Sequence, residues 1–177
     1  MWRWPLHCAD SKGFTLVETL VALAVLALGV AGAAATQVAS ARLHQQAALA
    51  SEAVQLAASL GARMRVNASQ MALPDAANPY LNFAYDAAGG EPDPPPLHCF
   101  GSVSCDPAQM AAFDLYETTR IVHAAFPGGR IAVCRDGGFV TGWDCTGAGG
   151  APVVVKLGWR IPAAPAALPF VTLVVAG

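Results

Sequence analysis

A chain of 177 residues is long enough for one ordinary domain and an appendage, and too short for two comfortable cores. Hydrophobic residues make up 55% of it and charged ones only 12%, which excludes an ordinary soluble composition and calls for a buried or membrane segment. A net charge of −2 excludes a global basic field of the kind that recruits nucleic acid.

The excess of apolar residues is local. Residues 14–35 (FTLVETLVALAVLALGVAGAAA) contain Glu18 and no other ionisable side chain. Roughly 22 residues at about 1.5 Å rise make a helix of about 33 Å, enough to cross a bilayer. The run is longer than the apolar core of a cleaved secretory signal and flows on without a stop, so it is expected to stay in the mature protein. The rest of the chain is too small to wrap it on all sides as a core helix. Arg3 and Lys12 precede the run and Arg42 follows it, a weak bias that puts the N-terminus on the cytoplasmic side. A carboxylate deep in a bilayer costs about 2.5 to 3.5 kcal/mol on insertion scales, so Glu18 calls for a partner or a function. Hydration near the interface and the helix macrodipole explain why an acid is tolerated there, not why it is present.

The stretch KGFTLVE (12–18), followed by about 20 apolar residues, resembles the class III signal of type IV pilins and pseudopilins. The resemblance implies that a prepilin peptidase cuts after Gly13 and methylates the new N-terminal residue, Phe14. Leader residues 1–13, with Trp2, Trp4, Pro5 and Cys8, are then discarded. It also supplies the missing cation, because the freed α-amine stays protonated at neutral pH after methylation. Glu18, at the fifth mature position, becomes an assembly residue that pairs with the terminal amine of a neighbouring subunit, two costly charges offsetting each other at low dielectric.

Beyond the transmembrane or filament-core segment (14–35), the helical pattern continues through 36–66. Leu49, Ala53, Leu56, Leu60 and Met64 form an apolar stripe, and Glu52, Gln55, Ser59 and Arg63 a polar one. Gly29 and Gly32, with Ala27, Ala31 and Ala33, fit close helix packing in a membrane. Residues 67–106 read as loop, since Gly89, Gly90, Pro92, Pro94, Pro95 and Pro96 resist helix and central strand alike. The Asn67-Ala68-Ser69 sequon is a chance match. Asp106 and Pro107 read as N-cap and first position of a helix to about Ala125, with Leu115, Thr119, Val122 and Phe126 facing inward.

Ile131 to Cys134 and Gly138 to Trp143 are expected as short strands joined around Asp136-Gly137. Val153 to Ile161 is the clearest strand, with Val153, Val155, Leu157 and Trp159 on one face and Lys156 and Arg160 on the other. Phe170 to Val175 forms the last. An antiparallel sheet laid on the distal half of the long helix gives an α+β fold, a headpiece spanning 67–177. The stretches LGARMRVN (60–67), DLYETTRIVHAAFPGGRIAVCRD (114–136) and VVVKLGW (153–159) are similar to the PilV branch of minor pilins, the type IV pilus modification proteins. That resemblance implies the type IV pilin fold and a structural role in the filament or in priming its assembly. The partners it implies are prepilin peptidase, the major pilin, other minor pilins, the inner-membrane assembly machinery and membrane lipid. It also implies a single inner-membrane pass with a periplasmic headpiece, and later the pilus at the cell surface. A minor pseudopilin of type II secretion shares the entire N-terminal logic and is one alternative; a minor pilin whose headpiece binds DNA or a host ligand is the other.

Cys99, Cys105, Cys134 and Cys145 all follow the apolar run, an even set that suits two disulfides in an oxidising compartment. Four cysteines permit three pairings; proximity favours Cys99 with Cys105 and Cys134 with Cys145. The spacing of His98, Cys99 and Cys105 departs from zinc-ligand patterns, and Asp86, Glu91 and Asp93 match no calcium loop, so neither metal nor other cofactor is expected. His44, His98 and His123 stand outside any nucleophile, zinc-protease or phosphate-loop motif, so no enzyme is expected. Loss of the leader leaves 8 basic against 11 acidic residues. A DNA-binding stripe of Arg130, Arg135, Lys156 and Arg160 is therefore weighed against an ordinary solvated sheet face, and the solvated face is preferred.

Overall fold

The computed structural model describes residues 13–81, 83–138, 142–147, 149–161 and 171–176. The leader to residue 12 lies outside them. The chain divides into two compact units, the first ending at Gln45 and the second beginning at Gln46.

The first unit contributes the start of α1 (Leu16–Val66, 51 residues). Ala and Leu, both good helix formers, dominate it together with Val, and no proline interrupts it. Its large side chains, among them Leu20, Leu23, Leu26, Leu28 and Val30, are exposed. Its most apolar 18-residue window is 0% buried and has a mean hydropathy of 2.2. Among the described residues this is the one helix long and apolar enough to cross a membrane.

In the second unit α1 turns a stripe inward. Ala53, Leu56, Ala57, Leu60, Gly61 and Met64 are buried, the 3-and-4 spacing expected of a helix with one covered face. α1 ends at Val66 with Arg63 and Arg65 in its last turn, where cations oppose the negative end of the helix dipole. Gly61 sits so close to the last strand that a Cβ there would lie 2.6 Å from Val175 Cβ. α3 (Pro107–Ala125) begins where its signals place it: Asp106 accepts from Gln109 N, Gln109 returns a bond to Asp106 N, and proline occupies the first position. Thr119, Val122 and Phe126 are buried on its inner side, and Leu115 packs partly against the same core.

Residues 67–106 are not simply loop. They hold a short helix α2 (Ala68–Met71), single 3-10 turns at Asp75–Ala77 and Ala87–Gly89, and a strand β1 (Phe83–Asp86). β1 forms because only four residues need to extend, and they end before Gly89 and the proline run begin.

The sheet is antiparallel throughout, in the order β1-β2-β3-β4, with β2 at Arg130–Arg135, β3 at Val153–Gly158 and β4 at Val171–Ala176. Phe170, expected to open the last strand, lies outside the described residues. Among the described residues the expected hairpin around Asp136-Gly137 is not formed. Gly138, Gly142 and Trp143 are bends, residues 139–141 lie outside the described set, and β2 pairs instead with β1 and β3. Val133, Val155, Leu157 and Trp159 join the α1 stripe in the core.

The opposite sheet face corrects a second expectation. All six residues of β3 are buried, Lys156 at 0% exposure. The long β2–β3 connection reaches back over this face, so an alternating strand that looks half-solvated is covered on both sides.

Candidate processing and assembly site

Gly13, Phe14 and Thr15 are non-helical, and the helix starts at Leu16. A Cβ on Gly13 would meet nothing within 4 Å and Phe14 is 80% exposed, so no described side chain covers the Gly13-Phe14 peptide. Thr15 caps the helix: its Oγ1 accepts from Glu18 N at 3.3 Å. Glu18 is thereby the third residue of the helix, in the first turn where an acid is favoured. Threonine followed three positions later by glutamate is a helix-start signature, and sequence reasoning that treated Glu18 alone missed the part Thr15 plays. Thr19 Oγ1 donates back to Leu16 O at 2.8 Å, closing the same turn. Among the described residues no cation pairs with Glu18; the ion pairs are Arg63–Asp114, Arg120–Glu117, Arg135–Asp75 and Lys156–Asp136. A carboxylate on an apolar helix with no ionic partner among the described residues suits a cation brought by another molecule.

Residues 8–34 match the family model described as the prokaryotic N-terminal methylation motif. The motif marks the chain as a type IV pilin-like prepilin. It implies processing by prepilin peptidase and assembly by pilus machinery, and with the apolar helix it points to membrane anchoring. Comparison with curated proteins and with solved structures gave no significant match in either case.

Four of the five cysteines, all but Cys8 of the leader, lie in the second unit. Cys99 is bonded to Cys105 with Cα atoms 5.7 Å apart, and Cys134 to Cys145 at 6.2 Å. The second bridge closes a loop that Lys156 pins from beneath, its Nζ donating to Gly142 O at 3.0 Å and Asp144 O at 2.6 Å. Nζ also stands 2.7 Å from Asp136 Oδ2, both side chains being buried. The ammonium holds the Asp136 carboxyl below the usual carboxylate range, against the opposing effect of burial.

The four basic residues weighed as a DNA stripe are not brought together as one. Lys156 is interior, and Arg135 Nε is bonded to Asp75 Oδ2 at 2.8 Å while its Nη1 donates to Ala151 O. Arg130 stacks on Trp143 at 4.4 Å, and Arg160 alone of the four is exposed. Arg63, expected on the solvated face of α1, bonds Asp114 Oδ1 at 2.9 Å. Tyr80 donates to the other Asp114 oxygen at 2.7 Å, and burial, then the Asp114 bond, push its hydroxyl well above the ordinary tyrosine range.

Proposed function

We propose that the chain is a minor type IV pilin: after cleavage behind Gly13 and methylation of Phe14, its apolar helix moves from the membrane into the filament core. The second unit, closed by two disulfides, primes assembly or alters filament behaviour. The observation that carries this reading is Glu18, an acid in the first turn of an exposed apolar helix with no ionic partner in the described chain. A neighbouring subunit's terminal amine neutralises it, which removes the penalty of desolvating either charge alone and fixes the axial register. The similarity of 60–67, 114–136 and 153–159 to PilV-like proteins favours the minor, pilus-borne role. The buried Lys156 and bonded Arg135 leave the DNA-binding alternative without its footprint.

The test is Glu18→Ala expressed from the native locus. The variant inserts and is processed, but its amount in sheared filaments falls, by about tenfold if the pair is worth about 1.4 kcal/mol. Unchanged incorporation sinks the assembly role. Recovery of the wild-type protein with secretion-system components in place of pili assigns it to the pseudopilins.

A further inference from the structure

In the second unit, away from the pinned loop, β1 and α3 border an open cleft of about 530 Å³. Phe83 and Tyr85 from β1 and Leu115 and Tyr116 from α3 line it, all half-buried. The proline segment supplies a wall with Pro92, Pro95 and Pro96, and Asp86, Glu91 and Asp93 are exposed at its margin.

The lining is unbalanced in two respects. Its charge is all of one sign: three carboxylates and no basic side chain, and none of the three forms an ion pair with a described residue. Its hydrogen-bonding capacity is weighted to acceptors, because prolines have carbonyls but no N–H and carboxylates only accept. The Tyr85 hydroxyl is already engaged by Gly90 O at 2.8 Å and His123 Nδ1 at 2.7 Å, and Thr119 Oγ1 by Tyr116 O at 2.8 Å. An occupant must therefore bring positive charge and many donors, and must tolerate aromatic walls.

A bare metal ion does not meet that description. No group of three acidic, histidine or cysteine side chains among the described residues comes close enough to hold one, so the carboxylates are spread along the cleft instead of converging. A guanidinium does. It is planar, carries five N–H donors and no acceptor, and stacks on aromatic rings, whereas an ammonium is a compact, strongly hydrated point charge. The cleft volume falls in the range of small-ligand sites and exceeds one side chain, leaving room for the backbone on either side.

We propose that this cleft binds an arginine side chain presented on an extended segment of a partner polypeptide. The guanidinium lies against Tyr85 and Tyr116 with Glu91 and Asp93 beside it, and the flanking backbone donates N–H groups toward the proline carbonyls. The site belongs to the second unit alone and does not depend on the filament reading above.

The test titrates the processed full-length protein, in zwitterionic micelles, with three short peptides that differ only in a central arginine, lysine or citrulline. Backbone amide shifts are followed by NMR. The arginine peptide is expected to move the amides of Tyr85, Glu91 and Leu115 and to bind about tenfold more tightly than either of the others. Its affinity falls as salt is raised. Glu91→Gln with Asp93→Asn weakens it by a similar factor while the amide shifts of β2 and β3 stay in place, which separates loss of binding from loss of fold. Equal binding of the citrulline or lysine peptide overturns the proposal. So does binding that survives the double carboxamide variant, shifts confined to other regions, or no shift at saturating peptide.

Discussion

Lys156 Nζ lies 2.7 Å from Asp136 Oδ2, and neither side chain reaches solvent. The strand pattern assigned this lysine to the surface, where losing it costs almost nothing. Inside, it neutralises Asp136 and satisfies two loop carbonyls at once.

Removing one member of a buried pair leaves the other as an uncompensated charge, a loss of about 3 to 5 kcal/mol. We therefore expect Lys156→Met to lower the unfolding free energy of the second unit by that amount. Arg160→Met, its exposed neighbour in sequence, should change it by about 0.5 kcal/mol or less. Urea titration followed by tryptophan fluorescence distinguishes the two, since Trp159 is 4% exposed in the fold. Equal, small effects would place Lys156 back on the surface.

The same pair sets an acid limit. The Asp136 carboxyl titrates lower in the folded chain than in the unfolded one, so its contribution is fully present above the unfolded value of about 4. It is lost as pH falls through the lower folded value, because the unfolded state then binds the proton more readily. Unfolding midpoints measured from neutral pH downward should stay level for this group and then decline below about pH 4. Asp136→Asn should be weaker at neutral pH and decline less steeply in acid. A parallel decline in both proteins contradicts the assignment.

Gly61 gives a test of packing between α1 and β4. A methyl group there meets Val175 Cβ at 2.6 Å and Cγ1 at 2.8 Å, and Cβ is fixed to the backbone, so relief requires the strand to move. Gly61→Ala should cost about 1 to 3 kcal/mol in spite of alanine's better helix propensity. A gain in stability would mean that the strand yields freely.

Features written locally in the chain were legible in it. Asp106 and Pro107 mark the start of α3 because capping and a missing N–H are one-dimensional facts. The apolar stripe of α1, its end at Val66 and the antiparallel α+β arrangement follow from periodicity and the helix-then-strand order. What depends on distant partners was not legible. β1 was hidden because its four residues abut the glycine and proline segment, and its pairing with Ile131 and Val133 is set across the sheet. Lys156 was misplaced because alternation shows which way a side chain points, not whether a loop returns to cover it. In the candidate site Glu18 stood out as a lone acid and drew attention from Thr15, whose place three residues ahead of it is a helix-start signature that the bond to Glu18 N bears out.

The central claim is that Gly13 and Phe14 are parted and the new terminus serves the acid of another subunit. Intact-mass analysis of the protein taken from sheared surface filaments tests it most directly. The account predicts a chain that begins at Phe14, carries one added methyl group on its α-amine and lacks all of residues 1–13. A filament-borne or membrane-borne product that retains Met1 and an uncut leader contradicts it.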